Sequence, residues 1–211
     1  STASNATFST VRGFVQVSEN RIVVADRGNR VLRAIDQKIY FAMNMIKNNR
    51  NKDQLLVVDY WYGGITRVDA NTGAVSKLVE DALMRKIRYL TQDEKGDLYT
   101  TASHGIFKVT YKDKKVTLIS GIPYKPGYKD STVVDSLYND PHDITVIGPG
   151  TLLVADYRNS QIRIIDMYSD RVSTLGLSGS ENYEYPSSLL LPGSTLYIGY
   201  SKNILQYKCM Y

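Results

Sequence analysis

Cysteine is almost absent from this chain. A single Cys209 excludes an internal disulfide framework and a cysteine-rich zinc site. Histidine is nearly as scarce. His104 and His142 stand far apart, in neither a His-x-x-x-His nor a Glu-x-x-His spacing, which argues against a metal centre. Long apolar runs are missing as well. A membrane helix needs roughly 18 such residues, and the longest runs here are of the length seen at 55–58. No Gly-x-Ser-x-Gly elbow, phosphate loop or Gly-x-Gly-x-x-Gly turn occurs. Residues 1–10 carry no secretory leader pattern. Charge of neither sign dominates: 22% of residues are charged and the net charge is +5, which leans toward acidic partners.

What the chain does have is a large apolar fraction, 43%, dealt out in short pieces. Residues 21–24, 97–100, 151–154 and 195–198 are rich in β-branched and aromatic residues and mostly bounded by Gly, Asn, Asp or Pro. These are strand signals. Only 81–88 reads as a possible helical turn, so the class is all-β.

The strands recur. Val24-Ala25-Asp26-Arg27-Gly28-Asn29-Arg30-Val31 returns as Val154-Ala155-Asp156-Tyr157-Arg158-Asn159-Ser160-Gln161-Ile162, and each is followed by a strand ending Ile-Asp, at Ile35-Asp36 and Ile165-Asp166. Looser copies are Val57-Val58-Asp59, Thr101-Ala102-Ser103 and Ile198-Gly199-Tyr200, so the anchors are 26, 59, 103, 156 and 200. Their steps are 33, 44, 53 and 44 residues. Repeats of roughly 40 to 50 residues with four strands apiece predict a β-propeller. Five four-stranded blades account for one domain over 1–211. The fourth blade is the clearest, with strands over 142–147, 151–155, 161–166 and 171–175. In the second blade the first strand falls within 40–54, where 48–53 is a loop. The fifth lacks a fourth strand, and 6–11 (Phe8 and Val11 included) is the candidate to supply it and close the ring.

The repeat Val-Ala-Asp-x-x-Asn-x-x-Ile before an Ile-Asp strand resembles the NHL-repeat propellers, most closely over 154–166. Gly127-Tyr128-Lys129-Asp130 and Ser136-Leu137-Tyr138-Asn139-Asp140-Pro141 resemble that family's inter-blade segment, with Ser131 where the family has a second glycine. The resemblance implies adhesion, scaffold or receptor roles. Its usual blade number is six, the alternative to five here.

The repeated Asp26, Asp59 and Asp156 are expected to cap the turns that follow them, and Asn29 and Asn159 to fit the same turns. His142-Asp143 opens an inner strand near the channel mouth. The inner strands otherwise offer Val15, Val17, Tyr89, Thr91, Ile144, Val146, Ser187 and Leu189, too few acids or bases for catalysis. Asn5-Ala6-Thr7 matches the glycosylation pattern only as a chance triplet would.

The loops after each blade's second strand are more informative. They carry Arg27 and Arg30; Tyr60, Trp61 and Tyr62; His104; Tyr157 and Arg158; and Lys202. Tyr124, Lys125, Tyr128 and Lys129 join the same face from an inter-blade segment. Tyr, Trp and Arg are the residues that dominate binding hot spots. The expectation is a monomeric, non-enzymatic module without cofactor, metal or membrane span that docks a protein partner there. Single-stranded RNA is the alternative partner, since phosphates attract Lys and Arg while bases stack on Tyr and Trp. A propeller hydrolase or lyase is the third reading.

Overall fold

A computed structural model of the chain describes residues 9–18, 21–33, 37–38, 42–176 and 184–208. Two compact units, Ser1–Arg88 and Tyr89–Tyr211, divide the chain.

The first unit holds two antiparallel four-stranded sheets. One is β1 (Val11–Ser18), β2 (Arg21–Asp26), β3 (Val31–Arg33) and β4 (Gln37–Lys38); the other is β5 (Ala42–Lys47), β6 (Gln54–Asp59), β7 (Gly64–Asp69) and β8 (Val75–Glu80). The second unit begins with β9 (Leu90–Gln92), β10 (Leu98–Ala102), β11 (Gly105–Val109) and β12 (Val116–Gly121). Next come β13 (Pro141–Gly148), β14 (Thr151–Asp156), β15 (Gln161–Asp166) and β16 (Arg171–Thr174), then β17 (Ser188–Leu190), β18 (Thr195–Gly199) and β19 (Ile204–Lys208). Each sheet is a meander in which sequence neighbours pair, so these are five propeller blades. The helical reading of 81–88 reduces to a 3-10 turn at Ala82–Met84, which Asp81 caps by accepting the Leu83 N–H.

The proposed closing strand falls mostly on residues outside those described, and its last residue is placed differently. Val11 opens β1 and pairs with Asp26, so it belongs to the first blade. Among the described residues the fifth blade has three strands.

Burial follows position within a blade. All of Leu55–Val58 in β6 and all five residues of β10 are buried. Neither run alternates between buried and exposed, the pattern of strands buried on both faces. Within the first unit Val23, Ala25, Leu32, Met45, Leu55 and Val57 share one core. The second unit has one core around Tyr99, Ile106, Ile144 and Val154, and another around Ala155, Ile162, Leu189 and Ile198.

The repeated aspartates close the turns, as their position predicts. Asp26 accepts Asn29 Nδ2 at 2.8 Å and Asp59 accepts the Trp61 and Tyr62 N–H groups at 3.0 and 3.2 Å. Asp156 accepts Asn139 N–H, Asn159 Nδ2 and Arg163 Nη1, each at 2.8 Å. Burial raises its carboxyl pKa, and those donors oppose the shift. Aspartates that end third strands do related work: Asp166 of Ile165-Asp166 caps 168–169, and Asp69 of Val68-Asp69 caps 71–72. Ile35-Asp36 lies outside the described residues.

Arg163 is the unforeseen member of this set. Its side chain has no solvent exposure. The guanidinium bonds Asp156, the Leu137 and Lys129 carbonyls at 3.0 and 2.9 Å, and Asp130 at 2.5 Å. The Tyr128 and Tyr138 rings lie 4.9 and 5.0 Å away. One side chain thereby fastens the inter-blade segment to the fourth blade. Arg163→Met would strand two carboxylates, one of them buried. Urea unfolding should show a loss on the order of 3 kcal/mol or more, against ~1–3 kcal/mol for Asp156→Ala. An unchanged midpoint for Arg163→Met would refute this.

Candidate binding surface

Antiparallel meandering puts all second-to-third-strand loops of a unit at one end of its blades. In the first unit that end is built around Tyr60. Asp59 ends β6 and folds residues 60–63 back on themselves, and Gly63 completes the turn at φ +69°. A Cβ at Gly63 would meet the Asp81 carbonyl at 2.3 Å, so only glycine fits. Tyr60 receives Arg27 over its ring at 5.7 Å and Arg88 at 5.5 Å. Trp61 stands edge-on to it at 5.0 Å. Trp61 is 49% exposed and Tyr62 58% exposed. Arg30, at the end of the β2–β3 loop, is exposed with φ 57°. Sequence reading brought Arg27, Tyr60, Trp61 and Tyr62 to this place but missed Arg88. The basic run Arg85-Lys86-x-Arg88 was the available signal, obscured by the helical reading of that segment.

In the second unit the equivalent end gathers His104, Tyr157 and Arg158. His104 Nδ1 accepts the Asp140 N–H at 3.0 Å, which leaves the ring proton for Nε2. Asp140 faces Arg158 Nε at 3.4 Å and His142 Nε2 at 3.7 Å. The His142 ring lies flat on Tyr157, with centroids 3.9 Å apart and planes 6° from parallel. Tyr89 flanks it at 6.3 Å, and Tyr185 adjoins Tyr157 at 5.2 Å. Six non-glycine residues in these loops, Ser103, His104, Tyr124, Asp140, Ser160 and Tyr185, adopt left-handed backbone with φ between 47 and 72°. Such strain persists only where surrounding bonds over-determine it. Lys202 is exposed on the β18–β19 loop. His142, Asp140 and Tyr185 were not in the predicted set. They come from first strands and inter-blade segments, which the repeat alone does not align with the loops.

Among the described residues, no three His, Cys, Asp or Glu side chains come together as a metal site needs, and no helix is long and apolar enough to cross a membrane. Comparison with known proteins follows the geometry. No family model matches the chain. NHL repeat-containing protein 2 of Homo sapiens and of Bos taurus is 26% identical over 165 residues, 76% of this chain. The fold is that of a five-blade β-propeller, and the chain is similar to these NHL-repeat proteins. The chain spans about a fifth of the length of these curated relatives, 21%. An auxiliary nutrient binding protein from Bacteroides ovatus superposes with a TM-score of 0.75 at 14% identity, covering 97% of this chain and 61% of that one. Virginiamycin B lyase from Staphylococcus aureus gives 0.59 at 13% identity, covering 94% and 69%. At such identities the likeness is one of fold.

Asp143 follows His142 in sequence and links the fourth and fifth blades of this propeller. It accepts the Ile144 N–H at 2.8 Å and the Leu189 N–H at 2.7 Å. Burial nevertheless pushes its carboxyl up to about 7. The folded protein therefore keeps a proton that an unfolded Asp releases near ~3.9. Its stabilising effect is complete below that value and is lost as pH rises through about 7. Melting temperatures of wild type and Asp143→Asn, followed from about pH 4 to pH 8, should diverge: the wild type loses stability across the range and the variant less. Parallel profiles would contradict this.

Proposed function

We propose that this NHL-type propeller is a non-enzymatic module that docks a protein partner on the loop end of its blades. The observation that carries the reading is the cluster of Arg27, Arg88, Tyr60 and Trp61 in the first unit. Planar aromatic groups held by two guanidinium groups lose little side-chain freedom on binding, while Trp61 and Tyr62 keep about half their surface open. Arg158 and the His142–Tyr157 stack supply the same chemistry in the second unit. The second reading is single-stranded RNA, favoured by the same pairing of cations with exposed rings and by the net charge of +5. Lyase chemistry has less support, because the acids at this end are engaged: Asp59 and Asp156 cap turns, and Asp140 faces Arg158 and His142.

The test is affinity capture under nuclease treatment, followed by calorimetry with the purified partner. The double variant Trp61→Ala with Arg88→Ala should weaken binding by ~2 kcal/mol or more, about thirtyfold, with an unchanged melt. Equal affinity would move the site elsewhere. Binding that disappears with nuclease, and that falls steeply with salt for a single-stranded oligonucleotide, would replace the protein reading with RNA.

A further inference from the structure

The second unit carries a second concave site, at the opposite end of its blades from residues 103–104 and 157–160. A cavity of about 500 Å³ opens between the third and fourth blades, among the β9–β10, β13–β14 and β15–β16 turns. That volume is within the ordinary range for small-molecule sites.

Its two walls differ in chemistry. The third blade supplies a polar wall, chiefly Gln92, Asp93, Tyr99 and Lys108, and the fourth blade an apolar one, chiefly Val146, Met167 and Tyr168. The polar wall is already set. Asp93 accepts the Asp97 N–H at 2.9 Å and the Tyr99 hydroxyl at 3.2 Å. Lys108 donates to Asp97 at 2.8 Å and stands 5.5 Å over the Tyr99 ring. Asp97 in turn accepts the Tyr111 N–H at 2.9 Å. Carboxylate and ammonium thus alternate along one rigid face.

The opposite wall ends in an aromatic platform. Tyr168 is 78% exposed, yet it is not loose. Its N–H bonds Asp166 at 2.9 Å, and its ring lies against Gly150, where a Cβ would come within 2.7 Å of it. Gly150 also has φ +69°, so glycine is required there twice over. A ring that is 78% exposed while it touches a glycine turn has most of its surface free to meet a ligand.

These features select a ligand class. The lining's acids, Asp93 and Glu94, are matched by Lys95 and Lys108, so an ion of either sign would meet a repelling group. Hydroxyl groups both donate and accept, and suit a wall where carboxylate and ammonium alternate. A body with one apolar C–H face and a polar edge fits between a tyrosine ring and such a wall. We propose that this cavity binds a neutral saccharide, stacked on Tyr168 with its hydroxyls toward Asp93, Gln92 and Lys108.

The probes are cellobiose, maltose, lactose and N,N′-diacetylchitobiose, titrated into the full chain by calorimetry and amide NMR, with glucuronate and glucosamine as charged controls. At least one neutral disaccharide should bind and shift the amides of Gly148, Gly150 and Tyr168. Tyr168→Ala should weaken it at least tenfold and Tyr168→Phe should not, because the ring face is used. Asp93→Ala should also weaken it. Should Asp93→Ala fail to fold, the two Tyr168 variants still decide, since that side chain is exposed. Trp61→Ala should leave saccharide binding unchanged, which separates this site from the loop end. No response to any of the four sugars, a response confined to other residues, or preference for a charged control would each overturn the proposal.

Discussion

A carboxylate at the end of a blade's second strand is the interaction on which the surrounding structure depends. Asp26, Asp59 and Asp156 each gather the donors of the turn that follows, and that turn carries the exposed aromatic and basic side chains. In the fourth blade the carboxylate is buried beyond the reach of water, and its charge is sustained by Arg163. The same guanidinium holds Asp130, whose other oxygen accepts the Thr174 N–H at 2.9 Å in the blade's last strand. Loop, inter-blade segment and outer strand are thereby tied to a single cation. A buried pair of this kind is costly to break rather than cheap to make, so its value lies in fixing one arrangement of three segments.

The two ends of the blades have diverged in chemistry because their turns have different jobs. At the loop end, β2, β6 and β14 finish in Asp and the chain reverses through Arg, Asn, Tyr or Trp. Left-handed residues such as His104, Asp140 and Tyr185 are tolerated there because hydrogen bonds and ring contacts hold them. At the other end the turns are tight, and their left-handed positions include Gly96 and Gly150 as well as Lys114 and Asp170. The space they leave is filled by neighbouring side chains, and where it is not filled it becomes the cavity beside Tyr168.

The blades are not equivalent, and the differences follow from single residues. Arg33 stands seven positions after Asp26, opposite Val24, just as Arg163 stands seven after Asp156, opposite Val154. Thr66 occupies that register in the second blade, opposite Val57. Asp59 is accordingly only half buried and binds two backbone donors in place of an arginine. Less burial of the carboxylate removes the need for a counter-charge.

Local chemistry was legible in the sequence. The all-β class, the repeat of Val-Ala-Asp, the capping role of Asp156 and the position of Tyr60, Trp61 and Arg158 on strand-connecting loops all follow from two-residue periodicity and turn preferences, which act over a few residues. Tertiary structure alone decided what those loops meet. Arg163 finds Asp130 from 33 residues away, Arg88 reaches Tyr60 from an inter-blade segment, and His142 stacks on Tyr157 from a different strand of the same blade. The cavity between the third and fourth blades likewise pairs a polar wall with an apolar one that no continuous segment contains. Periodicity records which way a side chain faces along its own strand. It carries no record of which strand of another blade will stand opposite, because that depends on how whole sheets pack.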